Sequence, residues 1–260
     1  MTAGPAEFNP PPVLKLLSHA LRWRLLASLA LSDLKVQELV QRLGRPQNLV
    51  SYHLKQLRAA RLVSERRSAA DARVVYYSLN FEEVRLLFQE AGESLHPSLS
   101  ETRPGDENPS LPKRHSPVRV LFLCTHNSAR SQMAEGLMRH QAGSGAEVFS
   151  AGTEATRVNP LAIRAMADMN IDISGQRSKH LDEFRDQKFD YVITVCDRAR
   201  ESCPLFPGDP VQIHWSFPDP AAVEGTESER YAAFRETALQ LNHRIGLLML
   251  LINRDTKSVC

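Results

Sequence analysis

Residues 118–136 read VRVLFLCTHNSARSQMAEG. The apolar run Val118–Leu123 has the length and composition of a buried strand, and Cys124 stands at its end. After five small or polar residues, Arg130-Ser131 opens a helical pattern over Ser131–Gln141. A thiol between a strand end and a helix N-terminus sits at the positive end of the helix dipole, beside loop N–H groups and a guanidinium. Such surroundings lower a cysteine pKa from about 8.5 into the range of roughly 3.5–7.5, which predicts a Cys124 thiolate at neutral pH. Thr125, His126, Asn127, Ser128 and Ala129, with the bidentate fork of Arg130, suit a tetrahedral oxyanion, and Ser131 can hydrogen-bond the thiolate. A Cys-x5-Arg spacing alone is common by chance, and Cys124 could then be a core residue and Arg130 a surface charge. The strand–loop–helix setting favours the nucleophile site.

Working outward, apolar runs Val118–Leu123, Glu147–Ala151, Tyr191–Val195 and Gln212–Trp215 read as strands, with helices near Ser131–Gln141, Pro160–Met169 and Tyr231–Ile252. Alternation of this kind predicts an α/β domain over residues 118–254 with a parallel sheet, and its nucleophile loop at the carboxyl end of the first strand, where such sheets bind ligands. In TVCDRARESCP, residues 194–204, Cys196 ends a strand and Cys203 follows seven residues later. On a straight helix that spacing holds the thiols roughly 10.5 Å apart on one face, so a disulfide requires the polar segment Asp197–Ser202 to unwind. Each could equally be an ordinary core cysteine. In FPDPAAVEGT, residues 217–226, Asp219 lies in a rigid Asp-Pro loop. It either starts a turn or serves as the acid that protonates a leaving oxygen.

The N-terminal third has another character. Residues 13–31 carry apolar side chains at helical spacing, as two short helices or one bent one. Asp33 is placed to cap a helix Val36–Leu43, Gly44 ends it, and Pro46 starts another over Gln47–Ala60. LVSERRS and RVVYYSL, joined by Ala69-Ala70-Asp71-Ala72, read as a hairpin with basic arms. Together these predict a mainly α winged helix-turn-helix domain over residues 10–91. Leu49, Val50, Leu54 and Leu57 are expected inward. Gln47, Asn48, Ser51, Tyr52, His53 and Lys55 are expected outward, where such side chains can read base edges, while Arg66, Arg67 and Arg73 suit phosphates. The charge agrees: residues 1–80 carry +7 and residues 81–260 carry −5, so only the first part is expected to meet DNA. Residues 92–117, rich in Pro, Ser and charge, read as a linker.

The longest apolar stretch near the C-terminus, Ile245–Ile252, is far below the roughly 18–20 residues that cross a bilayer. The start of the chain, with Pro10-Pro11-Pro12, has no signal-peptide pattern, so a cytoplasmic protein is expected. In a reducing compartment Cys124, Cys196, Cys203 and Cys260 are expected to be chemistry rather than structural disulfides. Cys260, beyond the last helix, could serve as a further thiol ligand or fray in solvent.

Two resemblances follow from these motifs. QNLVSYHLKQLRAARLVSERR and VVYYSLN resemble the winged-helix repressors of the arsenic-responsive family. That implies a homodimer, with Leu14–Ala30 and Phe81–Ala91 at its interface. Where arsenic-sensing members carry Cys-x-Cys, this chain has Asp33-Leu34-Lys35-Val36-Gln37-Glu38, which offers no thiolate for arsenite. CTHNSARSQMAEG, FSAGTEA, NPLAIRAM with IDIS, TVCDRARESCP and DPAAVEGT resemble the low-molecular-weight tyrosine phosphatase fold, a four-stranded parallel sheet with helices, in its thioredoxin-coupled arsenate reductase branch. Ala221-Ala222 replace the aromatic residues that phosphatases of this fold carry after Asp-Pro. The resemblance implies catalysis by Cys124, Arg130 and Asp219, a relay through Cys196 and Cys203, arsenate as substrate, no bound cofactor, and thioredoxin as external reductant. It also implies a potassium site from Asn127, Glu135 and Ser150. Lys179 takes the place of an aspartate there, so no metal and no potassium dependence are expected. A phosphatase, or an oxyanion-sensing regulator with little turnover, are the alternatives.

Overall fold

The computed structural model describes residues 11–96 and 117–257, with side chains through residue 253. Cys260 and most of the expected linker lie outside them. The described residues form two compact units.

In the N-terminal unit the apolar stretch divides into two helices, α1 (Pro12–Leu17) and α2 (Ala20–Leu29). A two-residue strand β1 (Leu34–Lys35) follows, which the sequence reading did not anticipate. The N-cap of helix α3 (Val36–Leu43) is Lys35, not Asp33: the Glu38 carboxylate accepts from the Lys35 N–H at 2.8 Å, so the capping side chain comes from within the first turn. Gly44, in the left-handed region at φ +59°, closes α3. Pro46 precedes α4 (Gln47–Ala59), and the two helices make the helix-turn-helix.

Strands β2 (Val63–Arg67) and β3 (Val75–Leu79) pair antiparallel, with Arg67 opposite Val75, and β1 adds to the other edge of β3. Helix α5 (Phe81–Glu93) begins at Asn80, whose side chain accepts from Glu83 N. The core is leucine-rich: Leu25, Leu29, Leu34, Leu39, Leu54, Leu57 and Leu62 are buried against one another. Each contributes about 1.5–3 kcal/mol by leaving water.

The C-terminal unit is a four-stranded parallel sheet with helices. Its strands are β4 (Val118–Cys124), β5 (Ala146–Gly152), β6 (Tyr191–Thr194) and β7 (Val211–His214), in the order β5-β4-β6-β7. The helices are α6 (Arg130–Ala142), α7 (Pro160–Ala167), the short α8 (Asp197–Glu201) and α9 (Glu227–Lys257), which is longer at both ends than its apolar pattern suggested. The chain leaves β4 for β5 on one side and reaches β6 on the other. The end of β4 is therefore the point where the strand order reverses, the position at which sheets of this kind bind ligands.

Helix α6 is buried nearly all round, between sheet and helices, with Met133, Ala134, Leu137 and Met138 inaccessible. That burial fixes Arg130 at its first residue. Among the described residues no helix is long and apolar enough to cross a membrane.

Candidate functional site

The loop from Cys124 to Arg130 wraps around the cysteine sulfur. Its carbonyls face away: Thr125 O accepts from Glu154 N, His126 O from Thr156 N, and Ser128 O from Asn159 N, at 2.8–3.1 Å. In a planar trans peptide the next N–H points the opposite way, so these bonds turn the N–H groups of His126, Asn127 and Ala129 toward the sulfur side. The Asn127 N–H donates to Cys124 Sγ at 3.1 Å. Gly152 lets the loop lie this close to β5, since a Cβ there would stand 2.6 Å from Thr125 O and 2.7 Å from Asn127 N.

Asn127 is the hub of the loop. Its backbone is left-handed, φ +46°, which asparagine tolerates better than most residues. Its amide nitrogen donates to Ser131 Oγ at 2.9 Å and Ser150 Oγ at 2.8 Å, and its Oδ1 accepts from Gln132 Nε2 at 2.9 Å and Lys179 N at 2.7 Å. Ser131 Oγ, already accepting from Asn127, lies 2.9 Å from Cys124 Sγ and is free to donate its proton there.

Behind the hub stands Glu135, 1% exposed, which Ser150 Oγ, Lys179 Nζ (3.1 Å) and Arg139 Nη2 (2.6 Å) contact. Lys179 thus places an ammonium on the Glu135 oxygen that Ser150 also contacts, while its backbone N–H holds Asn127. Among the described residues no group of three or more His, Cys, Asp or Glu side chains is arranged to hold a metal ion.

Arg130 and Asp219 meet. Arg130 Nη2 lies 3.0 Å from Asp219 Oδ2 and Nη1 donates to Phe217 O at 3.0 Å. Asp219 also caps the turn that follows, accepting from Ala221 N at 3.1 Å, so the turn reading and the site reading of this residue both describe it. Cys196 ends β6 beside the loop, with its Sγ 3.4 Å from Thr125 Oγ1, and it accepts from Ala199 N as the cap of α8. Cys203 lies just past α8 and is partly exposed. Ser128 lies within the loop, held by its carbonyl to Asn159 N, while His126 turns outward to the Glu154 carbonyl at 3.3 Å. Cys124, Cys196 and Cys203 are free thiols.

One electrostatic expectation is corrected. Burial first, then the neighbouring Cys196 thiol, push the Cys124 thiol upward, against Arg130 and the Ser131 hydrogen bonds. The lowered pKa expected from the motif counted the helix dipole, the loop N–H groups and Arg130 but not the loss of water around a cysteine that is 3% exposed, and that burial outweighs them. Burial also raises Cys203, against Arg200.

On α4, Gln47, Asn48, Ser51, Tyr52 and Lys55 are exposed, and Arg66, Arg67 and Arg73 belong to the hairpin. His53 does not join them. It is 4% exposed and its ring lies tilted against that of His19, 4.3 Å between centroids. Leu49, expected inward, is 38% exposed. The reason is periodic: Val50, His53, Leu54 and Leu57 form the i, i+3, i+4, i+7 stripe of the helix, and Leu49 lies at its edge. The sequence reading followed polarity there where periodicity decides.

It also missed Gln132, the Arg139 contact to Glu135, and the pair His214–Asp197. Of these only His214, a polar residue between Ile213 and Trp215 at the end of a strand, left a signal.

Similarity to known proteins agrees with this geometry. Residues 119–258 match the low molecular weight phosphotyrosine protein phosphatase family, and residues 20–65 match the bacterial regulatory protein, arsR family. An arsenate reductase of Halalkalibacterium halodurans is 46% identical over 126 residues, 48% of this chain and 91% of that protein. One of Bacillus subtilis is 42% identical over the same length and shares. A solved arsenate reductase from Archaeoglobus fulgidus is 30% identical, covering 50% of this chain and 98% of its own, with a TM-score of 0.42. The chain belongs to the low molecular weight phosphotyrosine protein phosphatase family and carries, ahead of that fold, an arsR-family helix-turn-helix segment.

Proposed function

We propose that residues 118–254 reduce arsenate to arsenite through Cys124, Cys196 and Cys203, and that residues 10–91 bind DNA as a homodimer, joining detoxification to transcription control in one cytoplasmic polypeptide. The observation that carries this reading is the placement of Cys196, 3.4 Å from Thr125 Oγ1 beside the nucleophile loop, with Cys203 following a single short helix. A phosphatase has no use for that pair. Relatives named arsenate reductase, matched over nine-tenths of their length, support it.

In this reading arsenate takes the Arg130 fork and the loop N–H groups, displacing Asp219, which then faces the leaving oxygen. Positive charge moved over Cys124 favours its thiolate. Cys124 attacks arsenic and an oxygen departs as water with a proton from Asp219. Cys196 then attacks Cys124 sulfur: the new S–S bond forms, the S–As bond breaks, and its electron pair leaves with arsenic as arsenite. Cys203 attacks Cys196, a Cys196–Cys203 disulfide forms, and Cys124 returns as thiolate. An external dithiol, thioredoxin, reduces the final disulfide by exchange. No bound cofactor takes part, and the Lys179 ammonium beside Glu135 supplies the charge that potassium provides elsewhere. Activity rising several-fold with potassium at fixed ionic strength would overturn that last point.

The test follows NADPH oxidation with arsenate, thioredoxin and thioredoxin reductase. Arsenate-dependent oxidation that Cys124→Ser, Cys196→Ser and Cys203→Ser each abolish is expected. Aryl phosphate hydrolysis that survives in the Cys196 and Cys203 variants is also expected, since attack on phosphorus needs only the first thiol. A wild type that hydrolyses aryl phosphate briskly and ignores arsenate is a phosphatase; silence with both leaves a sensor.

A further inference from the structure

Immediately after the resolving cysteine stands a carboxylate with almost no access to water: Asp197 is 2% exposed at the first residue of α8. A charge buried to this extent persists only where neighbours hydrogen-bond it. Ser216 Oγ donates to Asp197 Oδ1 at 2.6 Å, and His214 Nε2 lies 3.2 Å from the same oxygen. An ionised carboxylate only accepts, so the ring proton is on Nε2. Nδ1 then accepts from the Thr194 hydroxyl, 2.9 Å away. His214 is fully buried and Thr194 nearly so. The end of β6, the first turn of α8 and the segment after β7 are therefore tied together at residues flanking Cys196 on both sides. No step of the proposed relay uses any of these side chains.

The stretch that carries Cys203 is held differently. Phe206 is buried and meets Phe189 edge-on at 5.8 Å, while Leu205 beside it is 90% exposed. Residues 198–205 thus run between two anchors, with Cys196 at the polar one and Cys203 in the span. Attack of Cys196 on Cys124 demands alignment of three atoms along one line, and a displacement of 1 Å can cost on the order of 10²-fold in rate.

We propose that Asp197 and His214, with Ser216, are positioning residues that hold Cys196 against the nucleophile loop for the first disulfide-forming step. The inference rests on the relay reading above. Asp197 and His214 act through Cys196, and neither touches substrate.

The experiment uses the full chain in three variants, Asp197→Ala, Asp197→Asn and His214→Asn, each with two readouts. One is the single-turnover rate of the Cys124–Cys196 disulfide, trapped by alkylation in a Cys203→Ser background and identified by mass spectrometry. The other is aryl phosphate hydrolysis, which depends on Cys124, Arg130 and Asp219. Asp197→Ala is expected to slow disulfide formation at least tenfold while hydrolysis stays within about twofold, and Asp197→Asn, which keeps an acceptor for Ser216, is expected to recover most of the rate. Parallel loss of both activities would make the cluster a general support of the Asp-Pro loop and overturn the proposal, as would an unchanged disulfide rate.

A second arm replaces arsenate by hydrogen peroxide. Peroxide converts the Cys124 thiolate to a sulfenic acid, and Cys196 then forms the disulfide with loss of hydroxide. If the wild type forms the disulfide with peroxide but not with arsenate, the reductase reading fails and the positioning role is still decided by the same variants.

Discussion

The two units of this chain are stabilised in opposite ways. The N-terminal unit buries leucines against leucines, with few buried polar side chains, and keeps Gln47, Asn48, Ser51, Tyr52 and Lys55 in solvent. The C-terminal unit buries Asn127, Arg130, Ser131, Gln132, Glu135 and Ser150 at the Cys124 loop, and Asp197 and His214 beside Cys196. A surface that reads DNA can order its side chains when the partner arrives. A site that stabilises charge in a reaction must have its dipoles fixed beforehand, and fixing them requires a buried, mutually satisfied network.

The largest effect is expected where that network converges. Asn127→Ala removes the amide that ties Ser131, Ser150, Gln132 and Lys179 to the loop, at a left-handed position that alanine disfavours. Loss of aligned donors should lower kcat/KM for both arsenate and aryl phosphate by on the order of 10²–10³-fold. DNA affinity should not change. A loss smaller than tenfold would show that the loop holds its shape without the hub, and the contrast between the units would weaken.

The mirror experiment removes an exposed side chain. Tyr52 is 56% exposed on α4. Tyr52→Ala should weaken operator binding by about 1–3 kcal/mol, roughly fivefold to 150-fold, and leave arsenate reduction alone. Unchanged affinity in a gel-shift or fluorescence titration would move the DNA-reading role off this face.

A smaller effect reads the thiol. Burial and Cys196 raise Cys124, so in the absence of an oxyanion its alkylation by iodoacetamide should climb about tenfold per pH unit from 6.5 to 8. A rate already flat below neutrality would restore the low-pKa thiolate that the motif alone suggests.

That difference marks how far the sequence could be read. The strand–loop–helix around Cys124, the alternation of the sheet and the Gly44–Pro46 turn are local patterns, and each was legible because a few consecutive residues specify it. The Arg130–Asp219 pair joins residues far apart in the chain, as do the Asn127 hub and the His214–Asp197 contact, and no periodicity encodes them. His53 was misread for the opposite reason: the local pattern was available in the Val50–Leu57 stripe, and its polarity concealed it.

The smallest effects come from pH, and they set the two units against each other. Burial, then His19 and Arg22, lower His53. An unfolded chain therefore binds a proton more readily than the folded one as pH falls below about 6.5, and the N-terminal unit should lose stability in that direction. Cys124 and Cys203 are raised, both chiefly by burial. There the folded form keeps its protons longer, and the C-terminal unit should lose stability as pH rises above about 8.5. The chain has two tryptophans, Trp23 on α2 and the buried Trp215 after β7, so each unit carries its own reporter. Urea unfolding of Trp23→Phe and Trp215→Phe proteins between pH 5.5 and 9.5 should give midpoints that fall at opposite ends of the range (about 5.5–6.5 for the Trp23 signal and about 8.5–9.5 for the Trp215 signal). If both signals fall together at either end, the units unfold as one and the contrast drawn between them does not extend to their stability.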